Sequence, residues 1–149
     1  VEGELNQIRM GLQADLLNLP EGNSRFGGSL MWGGGVKFYA VTDNMRPDMW
    51  GYLVAAGGAG TLKLPLQAAA GRRMTGLNIW CVPDKAETDL YVVADGTEHL
   101  VARKLDNYRQ VSIPAELLGC NRLEVVFKSK VEQANQYGLC GLNLEMEVR

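Results

Sequence analysis

Apolar and polar residues alternate along most of this chain, in short segments that begin about ten residues apart. In the clearest of them Leu123 and Val125 flank Glu124, and residues 142–148 repeat the same alternation near the end of the chain. Strict alternation places one set of side chains on a core face and the other set in water. Segments of this kind with turn residues between them predict an all-β fold, an antiparallel β-sandwich.

Nine strands are predicted, each bounded by glycine, proline or other turn residues. Their ranges are 36–41, 51–55, 60–66, 76–82, 88–94, 97–104, 107–113, 122–129 and 139–148. Asp95-Gly96 predicts a tight hairpin turn, because both residues tolerate a positive φ. Pro65 predicts an edge strand or a bulge, because proline cannot donate a hydrogen bond to a neighbouring strand. Residues 114–119 begin with proline and end with glycine, which predicts one helical turn.

The first 19 residues have a helical rather than an alternating spacing. Their apolar stripe consists of Leu5, Ile8, Leu12, Leu16 and Leu19, and it ends at Pro20 and Gly22. We therefore predict an N-terminal helix or linker over 1–20 and a β-sandwich domain over 21–149. The helix either packs on the side of the domain or ends a longer coiled coil that joins an upstream module or a second subunit. Asp15 interrupts the heptad, which favours the first alternative.

Composition and charge narrow the classes of function. A chain of 149 residues is one domain with enough length to bury a core. The net charge of −2 argues against nucleic acid as a partner, because phosphate binding needs a basic surface. No apolar run approaches the ~20 residues of a membrane span, so no membrane partner is expected. No signal peptide is seen, and a start at Val1 rather than Met suggests a processed protein or an excised piece.

The three cysteines match neither a disulfide framework nor a zinc site. Cys81 lies within a predicted strand and is expected in the core. Cys120 and Cys140 flank strand ends, so they either pair or remain free. Free buried cysteine is common, which favours the second alternative.

No catalytic constellation is recognisable, so we predict that the protein is not an enzyme. His99 is the single histidine and is expected to be a structural surface residue. The glycine-rich run 57–60 precedes a strand rather than a helix, so it is not a phosphate loop. The carboxylates are dispersed in two predicted loops, Asp43 with Asp48 and Asp84 with Glu87 and Asp89. Each group could serve as acid and base or as calcium ligands, but solvated turns are favoured.

Aromatic and planar polar residues point instead to sugar binding. A sugar ring presents apolar C–H faces that stack on aromatic rings, and its hydroxyls hydrogen-bond to amide, carboxylate or guanidinium groups. If Leu77 and Ile79 face the core, alternation places Asn78 and Trp80 on the outside of the sheet. The candidate ligand-binding residues are Trp50, Tyr52, Trp80, Asn78, Arg46, Asp43, Trp32 and Tyr137. A tryptophan in a sandwich is more often part of the core, so a binding face uses only a subset of the three. Of these, Trp50 and Trp80 rank above Trp32.

Two stretches resemble a known superfamily. Residues 111–125, with Ile113-Pro114 before a short turn and an Asn-x-Leu-x-Val strand, resemble the galactose-binding-domain-like jelly rolls, and residues 137–148 resemble their last long strand. The resemblance implies a jelly-roll sandwich, and the helical spacing of residues 1–19 adds a short N-terminal helix to it. Members of the superfamily include many carbohydrate-binding modules, and such folds often carry a structural calcium ion. The matched stretches are scaffold, so no binding residue is transferred from them, and no other cofactor is expected.

The predicted function is that of a non-catalytic carbohydrate-binding module, an accessory domain of a bacterial polysaccharide-processing protein. Its expected partner is a polysaccharide or oligosaccharide, with an upstream catalytic domain or self-association through the N-terminal helix as further options. That function favours an extracellular or cell-surface location. The alternative is a structural or assembly domain whose sandwich mediates subunit contacts. An exposed aromatic strip lined by amides favours sugar, and a dry apolar patch continuous with the helix favours assembly.

Overall fold

The computed structural model describes residues 22–26, 41–48, 51–67, 71, 73–105, 109–133 and 135–148. The helix predicted over 1–20 lies outside these ranges, as do Trp32, Trp50 and almost all of the strand predicted at 36–41. Within the described ranges, eleven strands form two antiparallel sheets, and this confirms the predicted all-β sandwich class. This part of the chain contains no helix with the length and hydropathy of a membrane span.

The first sheet has six strands and is built around one long strand. Five of them lie in the order β3 (Met45–Asp48), β4 (Gly51–Val54), β11 (Tyr137–Val148), β6 (Met74–Val82) and β9 (Arg109–Ser112). β11 pairs with β4 at its start and with β6 along the rest of its length. The sixth strand, β1 (Gly22–Phe26), pairs with the last residues of β11.

The second sheet has five strands, and its centre is a pair of ten-residue strands. Its order is β2 (Val41–Asp43), β5 (Gly58–Gln67), β10 (Arg122–Val131), β7 (Glu87–Ala94) and β8 (Thr97–Ala102). β5 and β10 pair without interruption from Gly58↔Val131 to Gln67↔Arg122. This unbroken register gives every second side chain of both strands the same inward direction.

Inward side chains from both sheets form one hydrophobic core. Leu62, Leu64 and Phe127 contribute from the five-stranded sheet, and Leu77 and Ile79 from the six-stranded sheet, each at most 2% exposed. Burial of a side chain of this size contributes about 1.5–3 kcal/mol. The apolar half of the alternating pattern therefore accounts for the packing of one sheet on the other.

Two local predictions are confirmed by the backbone. Asp95 and Gly96 have φ values of 52° and 76° and join β7 to β8. A short 3-10 turn, Ala115–Leu117, follows Pro114.

The chain passes from the five-stranded to the six-stranded sheet at a single residue, Asn44, between β2 and β3. Its φ is 55°, and its Nδ2 donates hydrogen bonds to the carbonyl oxygens of Gly57 at 3.2 Å and Ala59 at 2.7 Å. Asparagine tolerates this left-handed conformation better than most residues. β3 was not predicted, because Met45-Arg-Pro-Asp48 contains a proline and has no apolar alternation. β1 lies between the predicted helix and the first predicted strand, where no strand was predicted.

All three cysteines carry free thiols, so the alternative that pairs Cys120 with Cys140 is wrong. Cys120 forms an isolated β-bridge with Met74 at one end of β6, whereas Cys140 lies opposite Val82 at the other end. The eight residue steps between Met74 and Val82 correspond to about 26 Å along a strand. A disulfide needs Cα atoms within about 7 Å of each other.

Two polar groups in the core have contrasting environments. The hydroxyls of Thr88 and Ser129 lie 2.8 Å apart, so one donates to the other. The carbonyl oxygen of Gly138 lies 3.3 Å from the Thr88 hydroxyl and 3.5 Å from that of Ser129, and it accepts the remaining proton. The hydroxyl of Tyr52 is buried and has no hydrogen-bond partner among the described residues. The Thr88–Ser129 pair connects the five-stranded sheet to β11, whereas the Tyr52 hydroxyl is desolvated and has no partner among the described residues.

We expect Tyr52→Phe to leave the free energy of unfolding unchanged or to raise it by about 1 kcal/mol, because a desolvated hydroxyl without a partner is destabilising. Ser129→Ala is the matched control and should lower it by about 1 kcal/mol, because it breaks a satisfied buried hydrogen bond. Urea denaturation of both variants gives these values. A loss of more than about 1 kcal/mol in Tyr52→Phe would contradict the packing described for Tyr52.

Candidate functional site

The eight candidate residues fall in different parts of the molecule. Asn78, Trp80, Arg46 and Tyr137 lie on strands of the six-stranded sheet. Asp43 is exposed at the end of β2, in the other sheet. Trp32 and Trp50 lie outside the described residues, so their roles remain predictions.

Tyr52 lies in the core, which does not fit a residue that stacks on a ligand at the surface. It has no exposed surface, and burial raises the pKa of its hydroxyl far above the ordinary value. The four residues of β4 are all buried and show no polar alternation. The sequence of this strand therefore gave no signal for which side chain points inward.

We call the face of the six-stranded sheet that is turned away from the core the outer face. On β6, every second side chain points to this face. Leu77, Ile79 and Cys81 are buried, while Asn78 and Trp80 are partly exposed. This confirms the predicted alternation along β6. Trp80 thus presents part of its indole on a sheet surface rather than in the core.

The neighbours of Trp80 on the outer face are polar. β9 pairs Gln110 with Trp80 and Ser112 with Asn78, and the side chains of Gln110 and Ser112 are exposed. The Ser112 hydroxyl donates a hydrogen bond of 2.7 Å to Oδ1 of Asn78, which fixes the orientation of that amide. This part of the surface combines an aromatic ring, two amides and a hydroxyl.

Gln110 and Ser112 were not among the candidates, although the sequence carried a signal for them. Val111 and Ile113 are buried, so alternation within the predicted strand 107–113 places Gln110 and Ser112 on the opposite face. Sequence alone did not reveal that this strand would pair with β6.

A second group of polar residues surrounds Tyr137 on the same face. Tyr137 pairs with Leu53, and Leu53 pairs with Arg46 on β3. The next row across the sheet contains Asp48, Gly51, Cys140 and Val82. Asp84 lies two residues after Val82, in the turn that leads to β7.

The carboxylates near Tyr137 give its hydroxyl a negative surrounding. Removal of water raises the pKa of this hydroxyl first, and the charge of Asp48 together with a hydrogen bond to it raises the pKa further. The thiol of Cys140 and the carboxylate of Asp84 act in the same direction. Asp48 and Asp84 come from loops that the sequence placed apart, and the fold brings both toward one tyrosine.

Cys140 is not an activated thiol. Burial raises its pKa to about 11, and the charge of Asp84 contributes to the shift. A thiol in this state is protonated near neutral pH and is a weak nucleophile. The described residues also contain no group of three or more His, Cys, Asp or Glu side chains placed to hold a metal ion.

On the outward face of the five-stranded sheet, a lysine side chain covers the ring of Tyr91. Lys128 Nζ lies 4.3 Å from the centre of the Tyr91 ring and 2.7 Å from Oε1 of Glu98. The cation therefore occupies one face of the ring that a sugar would need. The exposed apolar side chains Val41 and Leu100 lie on β2 and β8, at opposite edges of this sheet.

Comparisons with known proteins yield structural similarities only. No family model and no curated protein matches the chain. TmCBM61, solved in complex with β-1,4-galactotriose, matches with 10% identity and a TM-score of 0.33, covering 93% of each chain. An exo-β-1,3-galactanase from Phanerochaete chrysosporium matches with 13% identity and a TM-score of 0.29, covering 85% of this chain and 29% of that one.

A third structure belongs to a study of carbohydrate-binding modules from the β-sandwich superfamily. It matches with 13% identity and a TM-score of 0.29, covering 86% of this chain and 57% of that one. TM-scores this low carry no function, which has to be inferred from the surface itself.

Asp84→Asn should lower the pKa of Tyr137 toward its ordinary value, because a nearby carboxylate disfavours the phenolate. Asparagine also suits the φ of 44° at this position, so the turn should be retained. The measurement is a pH titration by NMR of protein with ¹³C-labelled tyrosine, with Tyr137→Phe used to assign the signal. An unchanged pKa would show that Asp84 does not act on Tyr137.

Proposed function

We propose that this protein binds carbohydrate through the outer face of its six-stranded sheet. The observation that carries the proposal is Trp80, a partly exposed tryptophan on a sheet surface whose neighbours are amides and a hydroxyl. The jelly-roll arrangement expected from the sequence belongs to the same proposal.

The chemistry of this surface suits a sugar ring. The C–H face of a pyranose stacks on an aromatic ring, and its hydroxyls need donors and acceptors in fixed positions. Asn78 meets that need, because its Oδ1 is held by Ser112. Gln110, on the other side of Trp80 from β11, supplies a second exposed amide.

The proposed binding is non-catalytic. His99 lies on β8 in the other sheet, and the thiol of Cys140 is protonated near neutral pH. Asp48 and Asp84 lie close to the hydroxyl of Tyr137. We expect no release of reducing ends from any polysaccharide that the protein binds. Release that disappears in Asp48→Asn or Asp84→Asn would instead identify an enzyme.

The assembly alternative is less well supported by the described surface. An assembly domain needs a contiguous apolar patch, and the two exposed apolar side chains of the described part lie on opposite edges of one sheet. The N-terminal stripe that would continue such a patch lies outside the described residues. The carbohydrate proposal includes a polysaccharide partner, an extracellular or cell-surface location and an upstream catalytic domain.

Trp80→Ala should weaken binding to the retained polysaccharide about tenfold, because an aromatic stack of this kind contributes on the order of 1–2 kcal/mol. The protein should be screened by affinity gels containing soluble β-1,4-galactan, β-1,4-xylan, β-1,4-mannan, β-1,4-glucan and β-1,3-glucan. The melting temperature of Trp80→Ala should fall less than that of Ile79→Ala, because Ile79 is fully buried beside it.

Tyr91→Ala is the matched control, since it removes an aromatic ring from the other sheet. Its mobility in the gels should equal that of the unmodified protein. Retention by none of the five gels would contradict the proposed function. Equal binding by the unmodified protein and Trp80→Ala would contradict the site.

A further inference from the structure

Tyr137 and Trp80 stand on the same outer face, separated along β11. Tyr137 lies in the row of Leu53, two residues before the row that contains Gly51, Cys140 and Val82. Trp80 lies two residues beyond that row, on the neighbouring strand β6. Four residue steps along the strands and one step between strands give a separation of about 14 Å. This is the length of about three linked pyranose rings.

Among the described residues, the surface between the two aromatic residues has little side-chain bulk. The bulge of β11 contains Gly141, which has a φ of 54° and is partly exposed. Of the described side chains, a Cβ atom placed at Gly141 would meet only that of Val82, whose Cγ2 would lie at 3.7 Å. The middle row contributes a glycine, a cysteine and a valine, none of which projects far from a sheet, and Asp48 lies at the far edge of this row, on β3.

The two ends of this strip differ in character. Trp80 is flanked by Asn78 and Gln110, which are neutral. Tyr137 lies one row from Asp48 and close to Asp84, and Arg46 lies in the row of Tyr137 two strands away, so two carboxylates outnumber one guanidinium at this end. A carboxylate or sulfate group on a ligand would be repelled at the Tyr137 end, whereas the hydroxyls of a neutral sugar can donate to those oxygens.

We infer that the outer face binds an extended, uncharged glycan of at least three sugar units, which lies along β11 with one ring on Trp80 and another on Tyr137. This inference rests on the proposed carbohydrate binding and adds the length, direction and charge of the ligand. A chain bound in this way is recognised along its interior, because both aromatic residues lie on an open sheet face.

The test uses oligosaccharides of two to six units cut from whichever of the five polysaccharides the affinity gels retain. Calorimetric titration should show an affinity that rises at least about tenfold between two and four units and then levels off. Trp80→Ala and Tyr137→Ala should each weaken binding of the tetrasaccharide about tenfold. Only one of the two variants should weaken binding of the disaccharide, which can occupy one aromatic residue at a time.

Gly141→Asn tests the surface between the two rings. Asparagine accepts the positive φ at this position, so the variant should fold, and its side chain should obstruct a chain that crosses the strip. The tetrasaccharide should bind more weakly and the disaccharide with unchanged affinity. Tyr91→Ala again serves as the control, and polygalacturonate should be retained less than every neutral polysaccharide that binds.

The outcomes separate this inference from the function on which it rests. If none of the gels retains the protein, the proposed function is wrong and the inference with it. If a polysaccharide binds but affinity levels off at two units, or Tyr137→Ala and Gly141→Asn both bind the tetrasaccharide normally, carbohydrate binding stands and the extended site is wrong. Stronger retention by polygalacturonate than by neutral chains would overturn the uncharged ligand.

Discussion

The pairing of β11 is the constraint on which the rest of the six-stranded sheet depends. This one strand hydrogen-bonds to β4, β1 and β6, so it fixes the relative position of every residue on the outer face. The register of β11 against β6 shifts between Cys140 and Asn143. This shift allows Leu139 and Leu142 both to be buried, although they are three residues apart. The bulge keeps both leucines in the core and leaves Gly141 partly exposed on the other side.

The two faces of the sandwich use their aromatic residues differently. On the five-stranded sheet, Lys128 lies over the ring of Tyr91 and is itself held by Glu98, so the polar surface satisfies its own groups. On the six-stranded sheet, Ser112 holds Asn78 beside a partly exposed Trp80. This contrast, rather than the sandwich fold, is what distinguishes a candidate binding face, because the same fold supports many functions.

Alternation in the sequence was sufficient wherever a strand was regular and half-buried. It located β6 and β10 and placed Asn78 and Trp80 on the outside, because a period of two residues is a direct consequence of strand geometry. It failed for Tyr52, whose strand has no polar residues, and it left open whether Cys120 pairs with Cys140, because their distance depends on the length of β6. The approach of Asp48 and Asp84 to Tyr137 also follows from the pairing of β3, β4, β11 and β6, which is long-range information that no single segment contains.

The most direct test of the account is an NMR titration of the whole protein, labelled with ¹⁵N, with a tetrasaccharide of the retained polysaccharide. Amide signals should shift along β6, β9 and the first half of β11, including those of Trp80, Gln110 and Tyr137. Signals of Tyr91 and Lys128 should stay in place, because they lie on the opposite side of the sandwich. Shifts confined to the five-stranded sheet, or to loops away from Trp80 and Tyr137, would contradict the central claim that the outer face of the six-stranded sheet is the binding surface.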